Sequence, residues 1–121
     1  MFNYYIYRTY FNAKHSFNGD ITKIHGHSFT VVTYIGMKDS KEDIPFFKLE
    51  AIISSFIDQY RGRYLNELPE FEGCGNTLET IGDYFYEKLR KQFMKSGMEL
   101  YQLDISENPL CVYQVSDRLL M

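Results

Sequence analysis

Three histidines, the only ones among the 121 residues, are spaced so that their side chains could converge on one metal ion. His25 and His27 are separated by a single glycine, and His15 lies ten residues before His25. In a β-strand, alternate side chains share a face, so His25 and His27 would project together with their Cα atoms about 6.5 Å apart. That separation suits two Zn–N bonds of about 2.0–2.1 Å to one ion. A turn at Asn18-Gly19-Asp20 would bring His15 alongside on a neighbouring strand.

Three neutral imidazoles with a fourth position open would form a catalytic type of zinc site, because structural zinc sites normally have four protein ligands. The alternative is a set of ordinary strand histidines whose side chains are satisfied by hydrogen bonds. A His-x-His motif alone favours this alternative, since short motifs have a high false-positive rate. The wider sequence pattern must therefore decide between the two interpretations.

The histidine motifs are part of a longer series of short motifs that occur in one order. The series consists of Phe11-x-Ala13-x-His15, His25-Gly26-His27-Ser28-Phe29, Tyr64-Leu65-Asn66, Asn76-Thr77-Leu78-Glu79 and Glu107. It resembles the 6-pyruvoyltetrahydropterin synthase / 6-carboxytetrahydropterin synthase family over residues 4–113, and the two histidine motifs are its most specific part. The resemblance implies the tunnelling fold, with His15, His25 and His27 as ligands of a Zn²⁺ cofactor.

The same resemblance implies two residues that contact a pterin-like substrate. Thr77 matches a threonine that contacts the pterin, and Glu107 is the best match to a glutamate that anchors the pyrimidine ring. A carboxylate suits this task because it can accept two parallel N–H bonds from a guanidine-like ring edge. Simpler interpretations stay open, namely a helix-capping threonine and a solvated carboxylate at the end of a strand.

The sequence departs from the family pattern at the positions that transfer protons. Ile21 stands where the family has a cysteine, and Arg61 and Gly62 stand where it has an Asp-His pair. Pro45 replaces an acidic residue beside the first helix. Isoleucine cannot ionise, glycine has no side chain, and arginine stays protonated and is a poor base. The usual proton-transfer set is therefore absent.

Two other residues are candidates for the missing chemistry. Cys74 lies between two glycines just before a predicted helix N-terminus, a location that favours the thiolate. In the family, the loop before this helix approaches the active site across a subunit boundary. Asp20 lies one position before Ile21 and could act as a base near zinc. The simpler interpretations are an incidental loop cysteine and a turn aspartate.

The composition indicates one soluble globular domain over residues 1–121, because 45% of the residues are hydrophobic and 24% are charged. A net charge of −3 argues against a broad nucleic-acid-binding surface. No apolar stretch approaches the roughly 18 residues of a membrane span. Cys74 and Cys111 do not make a disulfide scaffold, and no signal peptide is expected, so we predict reduced thiols and a cytoplasmic location.

The elements that must position the site follow from hydrophobic periodicity and turn residues. The predicted order is ββααββ, an α+β fold with a four-stranded antiparallel sheet and two helices on one face. The predicted strands are Tyr4–Phe17, Ile24–Met37, Leu100–Ile105 and Leu110–Val115; the helices run from Pro45 towards Gly62 and from a cap at Asn76 or Thr77 to Ser96-Gly97. The residues between Arg63 and Gly75 are predicted to be irregular.

Helices on one face would leave the other face and both edges of the sheet uncovered. Val31 and Val32 point to opposite faces, which suggests that the second face is also buried. Exposed edges favour pairing with another chain, so we expect a homo-oligomer. The resemblance implies three subunits that close a barrel, and two trimers that stack into a hexamer.

These observations predict a zinc-binding, pterin-synthase-like protein that acts on a pterin or a similar bicyclic substrate. Its lyase chemistry should be altered or weak because the reactive residues have changed. The alternative is a catalytically inactive protein that binds a pterin- or purine-like ligand or serves an assembly role. The sequence leaves this choice open, since function depends on the site rather than on the fold.

Overall fold

The structure, a computed structural model, describes residues 3–16, 24–38, 43–71, 77–108 and 110–117, with the backbone alone for His15 and His25. Its elements are β1 (Tyr5–His15), β2 (His25–Met37), α1 (Phe46–Asp58), α2 (Leu78–Met94), β3 (Met98–Asn108) and β4 (Cys111–Val115). The strands form one antiparallel sheet in the order β1-β2-β3-β4. The predicted α+β class and ββααββ order are confirmed.

The β1–β2 hairpin keeps one register along its whole length, from Tyr5 opposite Ile35 to His15 opposite His25. Alternation then places every second residue on the face that packs against the helices. The buried residues of this face in the hairpin are Phe11, Ala13, Phe29, Val31, Thr33 and Ile35. The odd-numbered residues of the hairpin therefore face the helices.

The core lies between this sheet face and the apolar sides of the two helices. Both helices contribute side chains that are 3% exposed or less, namely Leu49, Ile53, Phe56, Ile57, Ile81, Phe85, Tyr86, Leu89 and Phe93. Helix α2 lies very close to the sheet, since a Cβ at Gly82 would be 2.9 Å from atoms of both Ile105 and Tyr113. Helix α2 therefore packs closely on β3 and β4.

Several predicted boundaries shift in the structure. Helix α1 ends at Asp58, before Gly62, and two short 3-10 turns, Leu65–Glu67 and Pro69–Phe71, follow in the predicted irregular segment. Strand β3 begins at Met98 and continues to Asn108, beyond the predicted Leu100–Ile105. It contains a bulge, because Leu100 lies opposite Ile35 and Gln102 opposite Tyr34, which leaves Tyr101 as the extra residue.

The sheet face opposite the helices is more polar than the sequence suggested. Val32 is on this face and is 9% exposed, but next to it lies Asp104, which is 6% exposed. The Asp104 carboxylate accepts hydrogen bonds of 2.7 Å from Tyr34 Oη and from Gln102 Nε2. The bond to Asp104 raises the pKa of Tyr34 to about 12. The sheet face opposite the helices thus contains a buried carboxylate, that of Asp104, whose oxygens are hydrogen-bonded.

The outer edge of β1 is covered over only part of its length. The segment after α1 lies along it, with Gly62 N donating to Asn12 O at 2.6 Å and Lys14 N donating to Arg63 O at 2.9 Å. These bonds show that the even-numbered residues of β1 direct their backbone groups outward. Among the described residues, none hydrogen-bonds to the outward backbone of Ile6 or Arg8. No described helix is long and apolar enough to cross a membrane.

Candidate functional site

The three histidines lie at the same end of the β1–β2 hairpin. In the strand register, His15 is directly opposite His25, and His27 is opposite Ala13. His25 and His27 are two residues apart on β2, so they occupy positions on the same face. The hairpin alone therefore brings the three positions together.

The imidazole of His27 lies beside the carboxylate of Glu107. His27 Nε2 is 3.4 Å from Glu107 Oε2, and the two side chains are 32% and 24% exposed. Glu107 lies near the end of β3, and its contact with His27 places its carboxylate on the same side of the sheet as the His27 ring. The His27 ring also meets Phe29 edge-on, with 6.3 Å between centroids. The predicted metal ligand and the predicted pterin anchor are thus direct neighbours.

An open hollow of about 320 Å³ adjoins the hairpin end; it is lined by Asn12, Ala13, Lys14, Gly26, His27, Ser28 and Gly62. Within it, Ser28 Oγ donates a 2.7 Å hydrogen bond to Asn12 Oδ1. An added Cβ at Gly26 or at Gly62 would meet no atom within 4 Å. The two glycines therefore leave open space beside the end of the hairpin.

The residues at the expected Asp-His positions have structural roles. Arg61 Nε donates to Asp58 Oδ1 at 2.6 Å, and its Nη1 donates to the Tyr10 carbonyl oxygen at 2.7 Å. Gly62 has φ of +70°, a conformation that side chains other than glycine adopt at a cost. Arg61 and Gly62 secure the segment beside β1.

The Tyr64-Leu65-Asn66 motif fixes the backbone immediately after His15. Asn66 Oδ1 accepts from Ser16 N at 2.9 Å, and Asn66 Nδ2 donates to Ser16 O at 3.2 Å. The Tyr64 and Ser16 hydroxyl oxygens are 2.8 Å apart, and Ser16 is fully buried. The sequence motif includes Tyr64 and Asn66 but gave no signal for Ser16. The role of Ser16 depends on its hydrogen bonds to these two residues, which are far from it in sequence.

Thr77 is the N-cap of α2. Its Oγ1 accepts a hydrogen bond from Thr80 N at 3.2 Å, which satisfies one of the free amides of the first turn. The helix-cap interpretation of Thr77 is therefore confirmed. Contact of Thr77 with a pterin stays a prediction. Cys74, Asp20 and Ile21 lie outside the described residues.

The described side chains at this end of the hairpin are of types that bind zinc. Among residues whose side chains are described, no group of three His, Cys, Asp or Glu side chains converges, and this set excludes His15 and His25. The imidazole of His27 and the carboxylate of Glu107 are both common zinc ligands. The backbone places two more histidines at the same hairpin end. The donor set at this end of the sheet therefore fits a zinc ion.

Comparisons of the sequence with family models and of the fold with solved structures lead to the same family. The sequence matches the model of the family described as 6-pyruvoyl tetrahydropterin synthase over residues 5–118. No significant match was found among curated proteins. The structure is similar to the 6-pyruvoyl tetrahydropterin synthase of Caenorhabditis elegans, with a TM-score of 0.78, 21% identity and coverage of 96% of both chains. It is also similar to that of Plasmodium falciparum, with a TM-score of 0.68, 16% identity and coverage of 97% of this chain and 98% of the other.

Proposed function

The chain belongs to the 6-pyruvoyl tetrahydropterin synthase family and has its tunnelling fold, and we propose on this basis that it binds zinc and a pterin or similar bicyclic molecule. His15, His25 and His27 would hold the Zn²⁺. Glu107 and Thr77 would contact the pterin. The observation that supports the proposal is the 3.4 Å separation of His27 Nε2 and Glu107 Oε2, the residues to which we assign metal binding and contact with the ring.

The residues of the chain would bind and orient the ligand. The Glu107 carboxylate can accept two N–H groups from the ring edge. The Thr77 hydroxyl has one donor and two acceptor sites, so it can contact the ligand while it accepts from Thr80 N and shares a 3.0 Å hydrogen bond with Thr80 Oγ1. Zinc, when bound, supplies Lewis-acid polarisation of the substrate side-chain oxygens. We further propose that the protein acts in the cytoplasm as a homo-oligomer.

Lyase activity, where present, should be weak or altered. Positioned general acid–base groups contribute about 10²–10⁴-fold each, and this chain has Arg61 and Gly62 at two of their expected positions. The Arg61 side chain is hydrogen-bonded to Asp58 and to the Tyr10 carbonyl, so it has a structural role. This role supports a second candidate function. That function is a catalytically inactive protein that binds a pterin- or purine-like ligand or serves an assembly role.

Metal analysis tests the zinc proposal directly. Protein purified without chelators should carry about one zinc per chain, and His27→Ala should lose most of it because one of three imidazole ligands is removed. Ser28→Ala is the matched control, since it alters the next residue on β2 without removing a zinc-binding group. Absence of zinc, together with no affinity for added zinc, would show that the histidines are structural.

Product formation from dihydroneopterin triphosphate separates the two candidate functions. Unmodified protein and Cys74→Ser should be compared at equal zinc content. We expect a negligible rate in both, several decades below that of a typical family enzyme. A normal rate lost only in Cys74→Ser would identify Cys74 as the relocated catalytic residue. A normal rate in both would assign the chemistry to another residue, of which Asp20 is the next candidate.

A further inference from the structure

The distance between the His27 and Glu107 side chains can be compared with that of a hydrogen bond and with that of two ligands on one metal ion. A charge-assisted N–H···O hydrogen bond is about 2.7–2.9 Å long, and His27 Nε2 is 3.4 Å from Glu107 Oε2. Two atoms that bind one tetrahedral zinc ion at about 2.0–2.1 Å are separated by about 3.3–3.4 Å. The observed distance is therefore too long for a good hydrogen bond but equals the spacing of two ligands on one zinc ion.

We propose that Glu107 is the fourth zinc ligand of the resting protein, so that the metal is held by three histidines and one carboxylate. This inference rests on the proposed zinc site and assigns Glu107 a role besides contact with the pterin. An incoming pterin would have to take the carboxylate from the metal, which would leave a coordination position open. Pterin and zinc would then affect each other's affinity, and this coupling must be reciprocal.

The position of Glu107 in the fold suits a metal ligand. It lies near the end of β3, between Ser106, which pairs with Thr30 of β2, and Asn108, which pairs with Cys111 of β4, at a point where the register of β3 with β4 shifts. Ligands on paired strands are held more precisely than ligands on loops. At 24% exposure, the carboxylate is also partly withdrawn from water, which strengthens its interaction with a cation.

The experiment compares Glu107→Gln with Glu99→Gln, a matched change at the opposite end of β3 where Glu99 is exposed. Zinc affinity is measured by competition with a chromophoric chelator, and the ligand set by the visible spectrum of the Co²⁺-substituted protein. Glu107→Gln keeps the size of the side chain. Circular dichroism checks that the variant protein is folded. We expect zinc binding at least about tenfold weaker and an altered Co²⁺ spectrum for Glu107→Gln alone.

Other outcomes overturn the inference. Unchanged zinc affinity and an unchanged Co²⁺ spectrum would mean that Glu107 does not bind the metal. Weaker zinc binding with an unchanged spectrum would mean that Glu107 orients His27 without binding the ion. In both cases the proposed zinc site of unmodified protein would stand. Only failure of the unmodified protein to bind zinc would overturn the proposed function as well.

Discussion

At position 62, beside the site, the backbone conformation favours glycine. The sequence shows only that glycine stands at position 62, where the family has a histidine. The structure gives this glycine φ of +70° and a 2.6 Å hydrogen bond from its amide to the Asn12 carbonyl. Since an added Cβ would meet no atom within 4 Å, the backbone conformation alone opposes a side chain at this position.

Gly62→Ala should lower the free energy of unfolding by about 1 kcal/mol. The left-handed conformation costs alanine roughly 1–2 kcal/mol, partly offset by a less flexible unfolded chain. Gly26→Ala is the matched control, because a Cβ there also enters open space and Gly26 has no positive φ. Urea unfolding with a chelator present measures both variants. Equal stability of the two would show that the conformation of Gly62 is not what requires glycine.

Elements could be predicted where a local pattern encodes them. The inward faces of β1 and β2 follow from alternation, and the apolar faces of both helices follow from helical spacing. The bulge at Tyr101 has no such local signal. It arises where Tyr101 packs against Gly36, at which an added Cβ would lie only 2.6 Å from the Tyr101 ring. Contacts of this kind join residues far apart in sequence, and one local pattern cannot show them.

The first turn of α2 depends on the Thr77 side chain. Thr77→Ala should lower the free energy of unfolding by about 1 kcal/mol, because the Thr80 amide loses its acceptor. Thr77→Ser keeps an oxygen at the cap and should be close to unmodified protein in chelator-treated urea unfolding. Alanine and serine variants of equal stability would contradict this role. A loss of pterin affinity in Thr77→Ala alone would support the second, ligand-binding role.

At the scale of the whole molecule, the site combines contacts that the sequence could and could not predict. The meeting of His15 and His25 follows from the predicted hairpin. The approach of Glu107 to His27 depends on the pairing of β2 with β3, and the bond from Arg61 to the Tyr10 carbonyl depends on the path of the chain after α1. Both arise from tertiary structure, so sequence motifs could name these residues but not their partners.

The part of the β1 edge at Ile6 and Arg8 is left uncovered by the described residues, and we use it to predict how copies of the chain assemble. The backbone groups of Ile6 and Arg8 point outward, whereas the edge from Tyr10 to Lys14 is occupied by Arg61 and the residues that follow it. At the other side of the sheet, β4 is an edge strand with exposed Val112. Pairing of one copy's β4 with another copy's β1 would satisfy both edges.

With the barrel of three subunits that the family resemblance implies, unmodified protein should have three or six times the 14.4 kDa mass of the chain in light scattering at micromolar concentration. Arg8→Pro should shift this mass towards the monomer, because proline removes an outward N–H that the β1–β2 pairing does not use. Arg8→Ala keeps that N–H and is the matched control, which should retain the assembled mass. A clean monomer of unmodified protein would contradict the barrel. An assembled Arg8→Pro with native circular dichroism would show that the free edge of β1 does not form the contact between subunits.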